Sequence, residues 1–344
     1  MAKLTVQLVT WNGAKYVPFL CESLRRQTFT DWELLIIDNA SKDATVALLK
    51  KELPRFSCLY RLMENAHNIG FAGGHNQAFS QSSSEFVVLI NQDMYLASDC
   101  LQKLMAAIEA NKNAAVVAPR LMRWNFDRSV TEGLESGFTT TIDSLGLRVL
   151  KNRRVIELGA GETWLPKNQP ETVEVFGVSG ALPFFRRSSL TATVLPAGTV
   201  FDNLYESYKE DVDLAFRLRL AGFTAYAVMG AAAYHDRSAA HDAALDDRAA
   251  SAGKRHQSDL VAFNSYKNHL ATLYKNELWQ NLTLDFLAIL WYETKKFGYF
   301  LLFKPAILKG LSELWSRRAE LRQARKSIQA SKKITWKDLR KWWN

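Results

Sequence analysis

Over the first 118 residues, short apolar runs alternate with helical patterns, and no other feature of this chain restricts its fold as strongly. Leu4-Leu8, Glu33-Ile37, Ser57-Met63, Phe86-Ile90 and Ala114-Ala118 have strand length and are rich in branched side chains. Lys15-Gln27, Lys42-Glu52, Gly73-Ser82 and Ser98-Asn111 carry helical periodicity between them. Strand, crossover helix, parallel strand is the βαβ unit, so an α/β, Rossmann-like, mostly parallel sheet is expected. In open sheets of this kind ligands gather outside the carboxyl ends of the strands.

Those ends are polar. The first run closes on Val9-Thr10-Trp11-Asn12, the second on Ile37-Asp38-Asn39-Ala40-Ser41-Lys42-Asp43, and the fourth on Asn91-Gln92-Asp93. A parallel sheet places Asn12, Asp38 and Asp93 on one edge. Each has a plain structural use as well: Ser41 as a helix cap, Asp43 as a first-turn helix acid, and Asp93 as a cap before the helical pattern at Ser98 and Asp99. Asn68-Ile69-Gly70-Phe71-Ala72-Gly73-Gly74-His75-Asn76 is a glycine-rich turn opening a helix. It either lets a phosphate approach backbone N–H groups or simply shapes a tight turn. G-x-x-G-G is not the dinucleotide fingerprint G-x-G-x-x-G.

Beyond Pro119 the pattern weakens. Gly133, Gly137, Gly146, Gly159 and Gly161 break the chain into loops or short antiparallel strands up to Val175. Order returns with Val175-Arg186, a helix at Lys209-Ala221 ended by Gly222, and a strand at Thr224-Val228. The alanine-rich, charged stretch 236–257 can bury little and is expected to be an exposed, mobile lid. Helical patterns at Ser258-Asn276, Leu282-Phe303 and Pro305-Ala330, closed by Trp336, Trp342 and Trp343, form an appendage. The expected division is a ligand-binding, catalytic unit over 1–235, a loop over 236–257 and a basic helical region over 258–344.

At 344 residues and 48% hydrophobic, the chain has material for a sizeable core. Cys21, Cys58 and Cys100 form no C-x-x-C pair, which excludes a cysteine zinc site or a disulfide framework and suggests a reducing, cytosolic setting. The N-terminus runs straight into a strand pattern, with no signal-peptide core. From Lys304 onward, twelve Lys or Arg against Glu313, Glu320 and Asp338 account for the whole net charge of +9. Such a tail suits nucleic acid, anionic lipid or an acidic partner. Leu282-Phe303 has the length of a membrane span, but Asp285, Glu293, Lys295 and Lys296 argue against spanning.

Thr10-Trp11-Asn12, Asp38-Asn39-Ala40-Ser41, the Asn68-Asn76 turn, Asn91-Gln92-Asp93 and Glu210-Asp211-Val212-Asp213-Leu214 occur together in this order. This set resembles glycosyltransferase family 2, and the turn and the Glu-Asp-Val-Asp-Leu helix are similar to its bacterial rhamnosyltransferases. The resemblance covers about residues 4 to 275. It implies a GT-A fold and inverting transfer of a sugar, L-rhamnose from dTDP-L-rhamnose, to a glycan or polyprenyl-diphosphate-linked acceptor. It further implies Mg²⁺ or Mn²⁺ held by Asp93 and His235, Asp211 as general base, and Glu210 at the acceptor. Donor contacts carry over to Thr10, Asn12, Asp38, Asn68, Gly70, Gly73, Asn76, Asn91 and Gly180, and to Lys267 where the family often has arginine. The divalent ion suits charge building on a leaving diphosphate, and hard oxygen ligands suit the ion.

The chain departs from the pattern at Asn91, an amide in place of the first acid of Asp-x-Asp, and at Gln92, where this branch often has proline. An amide supplies no second anionic ligand. Asp213 and Arg217, spaced i, i+4, are expected to pair structurally. A UDP-galactofuranose or UDP-N-acetylhexosamine donor is the alternative within the family, and a non-catalytic nucleotide-sugar-binding or membrane assembly protein the alternative outside it. The basic, aromatic tail fits peripheral attachment to anionic lipid at the cytoplasmic face of the inner membrane, and nucleic acid is not expected.

Overall fold

The computed structural model describes residues 2–167, 169–237 and 258–343. The branched apolar runs form β1 (Leu4–Thr10), β2 (Trp32–Asp38), β3 (Tyr60–Glu64) and β4 (Phe86–Asn91), joined by α1 (Val17–Arg25), α2 (Thr45–Glu52) and α3 (Gly70–Ser80). β1 is parallel to β2 and β4, and β2 to β3. The side chains of β1, β2 and β4 are buried almost throughout, as their unbroken apolar runs require, whereas the edge strand β3 is partly exposed. β5 (Met94–Leu96), α4 (Cys100–Ala110), β6 (Ala114–Trp124), α5 (Phe126–Thr131), β7 (Phe138–Ser144) and the hairpin of β8 (Leu147–Val149) and β9 (Val155–Glu157) follow. β10 (Thr172–Glu174), β11 (Phe184–Arg186), α6 (Arg187–Thr191), α7 (Glu210–Leu220) and β12 (Thr224–His235) complete the sheet, ordered β10-β12-β6-β11-β4-β1-β2-β3. β11 runs antiparallel between β4 and β6. The expected α/β architecture is present, a mostly parallel sheet.

Several expected boundaries move for local reasons. α2 starts at Thr45 because Ser41 turns back, its N–H and Oγ both donating to Asp38. Only Phe184–Arg186 of Val175-Arg186 is strand. β12 continues past Val228 to His235 across a register shift at Val228/Ala232, pairing with β6 and then β5. Most of the expected lid, residues 238–257, lies outside the described residues.

Seven further helical segments were expected as three patterns and are more finely divided. They are α8 (Asp259–Asn276), α9 (Trp279–Leu284), α10 (Phe286–Phe303), a 3-10 turn at Pro305–Leu308, α11 (Lys309–Ser316), α12 (Arg318–Ser331) and α13 (Trp336–Arg340). The break between α9 and α10 falls at Asp285, whose carboxylate accepts from Arg153 and Arg340. Arg153 has no exposed side-chain surface and bonds Glu277 too, beneath the ring of Trp343. Trp343 also lies 5.8 Å from both Phe176 and Phe216, and Ala324, Ile328 and Leu339 join that cluster. The far C-terminus is thus built into the packing behind α7. No helix among the described residues is long and apolar enough to cross a membrane.

Candidate active site

A cavity of about 450 Å³ opens where β4, β9, α7, α8 and the end of β12 meet. Asn91, Asp93, Gly180, Glu210, Asp211 and His235 line it. Six of the residues expected from sequence therefore share one space. The pairing of Thr10 with Asp38 and of Val9 with Asn91 puts the ends of β1, β2 and β4 on one edge, as the parallel sheet demands. There Thr10 Oγ1 donates to Asp38 at 3.0 Å, and Asn12, left-handed at φ 50°, accepts from the Lys42 N–H. Gln92 ties the first and fourth strand ends together: its amide donates to the Trp11 carbonyl and accepts from the Trp11 N–H. A Cβ on Gly13 would meet that amide at 2.3 Å, which explains the glycine.

His235 stands between two carboxylates. Its Nε2 is 3.4 Å from Asp93 and its Nδ1 is 2.9 Å from Asp143, a buried residue of β7. Burial disfavours the imidazolium, yet Asp93 and Asp143 lift its pKa to about 10. Burial would likewise raise Asp143, but His235 and Arg237 hold it below the usual carboxylate range. Arg237 donates to Asp143 at 2.7 Å and lies 3.4 Å from Glu157. The chain therefore fixes the ring through Nδ1 and turns Nε2 toward Asp93.

The opposite wall is the start of α7, reached through strained backbone. Tyr208 and Lys209 are consecutive left-handed residues, each at φ 71°, a conformation that costs a non-glycine residue about 1–3 kcal/mol. Asn268 of α8, fully buried, clamps this turn by donating to the carbonyls of Ser207 and Tyr208 at 3.0 and 2.7 Å. The helix then presents Glu210 and Asp211. Asp211 accepts from Gly180 N–H at 3.0 Å and Val212 N–H at 2.7 Å, fixing both oxygens while leaving them lone pairs toward the cavity. Burial first, and the neighbouring Asp211 second, push Glu210 well above the usual carboxylate range, and its Oε2 has no partner among the described residues. Asp213 pairs with Arg217 at 2.9 Å, as its spacing predicts, and also meets Lys275 and Asn276 of α8.

Asn68, Gly70, Gly73, Asn76 and Lys267 do not line the cavity. Asn68 accepts from Gly70 N–H, and a Cβ on Gly70, at φ 74°, would strike the Glu206 carbonyl at 2.5 Å. Gly73 faces Ile69, and Asn76 holds Val200, Phe201 and Asn203. Lys267 is buried against Glu313 at 2.8 Å. The glycine-rich turn packs against the 199–206 segment and Lys267 against Glu313 of the C-terminal helices, so these five expected donor residues lie outside the cavity lining, as do Thr10, Asn12 and Asp38. Conversely, Asp143, Arg237 and Asn268 were not singled out. Asp143 sits in the stretch without period, and Asn268 follows Lys267 with no pattern that marks it.

Among the described residues no three acids, histidines or cysteines form a ready metal cage. Asp93 supplies a hard oxygen on the cavity wall, and His235 an Nε2 at which a metal ion would replace the proton that Asp93 and Asp143 otherwise favour. That pair fits an ion whose remaining ligands are phosphate oxygens and water, the usual habit of Mg²⁺ and Mn²⁺ at nucleotides.

Residues 5–148 match the family model described as Glycosyl transferase family 2, and over this segment the chain is similar to that family. It is 30% identical over 112 residues to the poly(ribitol-phosphate) β-N-acetylglucosaminyltransferase TarS of Staphylococcus aureus, 32% of this chain and 19% of that protein. It is 32% identical over 120 residues to the GalNAc(5)-diNAcBac-PP-undecaprenol β-1,3-glucosyltransferase of Campylobacter jejuni, 34% of this chain and 37% of that protein. The matches thus span well under half of these relatives. The fold is similar to that of S. aureus TarS 1–349 in complex with UDP, with TM-score 0.54, 16% identity and coverage of 96% of this chain and 88% of that one. It also resembles GalNAc-T7 with UDP, GalNAc and Mn²⁺, with TM-score 0.59, 13% identity and coverage of 80% and 48%. The architecture is that of GT-A glycosyltransferases.

Proposed function

We propose that this chain transfers a sugar from a nucleotide donor to a glycan acceptor with inversion at the anomeric carbon. The observation that carries the reading is Asp211, pinned by two backbone N–H groups on the same cavity wall system as Asp93 and His235. Asp211 accepts the proton of an acceptor hydroxyl as its oxygen attacks the anomeric carbon and the bond to the diphosphate breaks on the far face. Glu210, uncharged at neutral pH because of its burial, can donate a hydrogen bond to the acceptor. Asp93 and His235 would hold Mg²⁺ or Mn²⁺, which stabilises charge on the departing nucleoside diphosphate. Asn91, Asp38, Thr10 and Asn12 lie along the edge that would receive the nucleoside, and Gly180 beside Asp211 leaves room for the sugar.

dTDP-L-rhamnose is the donor suggested by the Asn68-Asn76 turn and the α7 motif. A UDP-N-acetylhexosamine or UDP-glucose donor is the second reading, favoured by the activities that the names of the relatives carry. The acceptor is a glycan linked to a polyprenyl diphosphate, presented at the cytoplasmic face of a membrane. The test incubates the full chain with a panel of dTDP- and UDP-sugars and lipid-linked acceptors, with and without Mn²⁺, beside Asp211→Asn. Donor-specific product that disappears in Asp211→Asn supports the reading. Donor binding without turnover points to a non-catalytic binding protein, and full activity of Asp211→Asn removes it as the base.

A further inference from the structure

α10 is amphipathic in the wrong direction for a helix in water. Its polar residues turn inward: Glu293 lies 2.7 Å from His269 of α8, and Lys296 sits over the Tyr266 ring at 4.9 Å. Asp285, at its start, is committed to Arg153 and Arg340. Ile289 and Phe300 also pack inward, but a second set of apolar residues turns outward. Leu287, Trp291 and Leu302 share one face by their spacing and are 79%, 66% and 76% exposed. Between residues 287 and 302 the charge on that face is Lys295, placed over Trp291 at 5.6 Å. A solvated surface helix shows the reverse distribution, and a contiguous apolar patch of this kind marks a contact surface. The adjoining helices carry further exposed aromatic residues, Trp279 (67%) on α9 and Trp315 (70%) on α11.

We propose that the outer face of α9–α11 lies in the headgroup and upper acyl region of an anionic lipid bilayer. The rim has the composition of such a contact, aromatic rings paired with cations: Lys295 with Trp291 and, at 5.1 Å, Arg318 with Trp315. The surplus of nine positive charges after residue 303 draws the face to anionic headgroups and opposes the competing occupant. A second copy docked symmetrically on this face would bring two such tails together. The face is held close to the cavity, since α8 carries Ser265 on the cavity wall and Tyr266, against Phe300 at 4.9 Å, on the side of α10. The basic tail thus supplies attraction while α10 supplies insertion. The inference does not depend on sugar transfer.

The test needs no donor. The full chain is co-sedimented with vesicles of phosphatidylcholine alone and with phosphatidylglycerol added, beside Leu287→Glu/Leu302→Glu and the control Leu59→Glu, which alters an exposed leucine before β3. Binding to phosphatidylglycerol vesicles is expected, weakened on the order of a hundredfold in the double variant and unchanged in the control. Quenching of tryptophan fluorescence by brominated lipid, reduced in Trp291→Phe, reads insertion with a variant that keeps the apolar face. Wild type that ignores anionic vesicles, or a double variant that binds them as wild type does, overturns the proposal. So does a wild-type dimer that the double variant dissociates without any lipid binding.

Discussion

Asp213 is the residue whose replacement tests most directly how α7, the helix that carries Glu210 and Asp211, is held. It is fully buried, accepts from Arg217 and Asn276, and lies 3.0 Å from Lys275, whose side chain is also fully buried. Asp202 completes a neutral quartet by meeting Lys275 at 2.5 Å. Burial alone would raise the Asp213 carboxyl, but Lys275 and Arg217 hold it below its ordinary range. Asp213→Asn keeps the shape and removes the charge, leaving one uncompensated cation and an amide N–H facing the Arg217 guanidinium. Breaking one side of a buried pair costs about 3–5 kcal/mol. Lys275 keeps Asp202, and Arg217 keeps the carbonyls of Thr193 and Val200, so the lower end, about 3 kcal/mol, is expected. Urea unfolding at neutral pH measures it. Lys275→Met in the same chain restores neutrality, and the double-mutant cycle should return a coupling of about 1–3 kcal/mol. Loss below about 1 kcal/mol for Asp213→Asn, or strictly additive effects, would refute the view that this quartet fastens α7 to α8.

Asp143→Asn should weaken Mn²⁺ binding about 10- to 100-fold, because it loosens the ring that Nδ1 holds, with the fold unchanged in a thermal melt; unaltered Mn²⁺ titration would make Asp143 merely structural. Asn268→Ala removes both bonds that clamp Tyr208 and Lys209, so turnover should fall by about tenfold or more. Lys209→Gly, which adopts φ 71° without strain, should recover part of that loss in the double variant; no recovery would place the role of Asn268 elsewhere. Burial pushes the His75 imidazole down to about 3, and neither ring nitrogen has a partner among the described residues. Its contribution is complete above the unfolded value near 6.5 and is lost as pH falls toward 3, about 2 kcal/mol between roughly pH 7 and 5. In His75→Phe the stability difference between those two pH values should shrink by that amount, and equal losses in variant and wild type would contradict it.

What the sequence made legible was local. The strand ends at Thr10, Asp38 and Asn91 are read from apolar runs that stop at polar residues, and the Asp213–Arg217 pair from spacing on one helix. The length of β12 was not legible, since Gly230, Ala231, Ala232 and Ala233 have poor strand propensity. Pairing with β6 and β5 overrides it there. Nor was the break at Asp285, because Arg153 lies 132 residues away. Asp143, Asn268 and Arg237 reach the site only through the tertiary fold, and no periodicity encodes such a contact.

The same distinction bears on the weakened Asn91-x-Asp93 element. Read along the chain, it looks like a metal site short of one acid. In three dimensions the missing support comes from elsewhere: β12 delivers His235 beside Asp93, and Asp143 of β7 aims the ring. In the proposed metal site, three strands distant in sequence would do what one tripeptide does in a strict Asp-x-Asp. The proposed site would then have one anionic group, Asp143, behind the ion and not in contact with it. An ion held by one carboxylate and one imidazole is bound weakly until diphosphate oxygens join it, so metal and donor should bind with strong mutual dependence. Titrating Mn²⁺ with and without a nucleoside diphosphate measures that coupling directly, and equal affinity in both titrations would exclude a shared site.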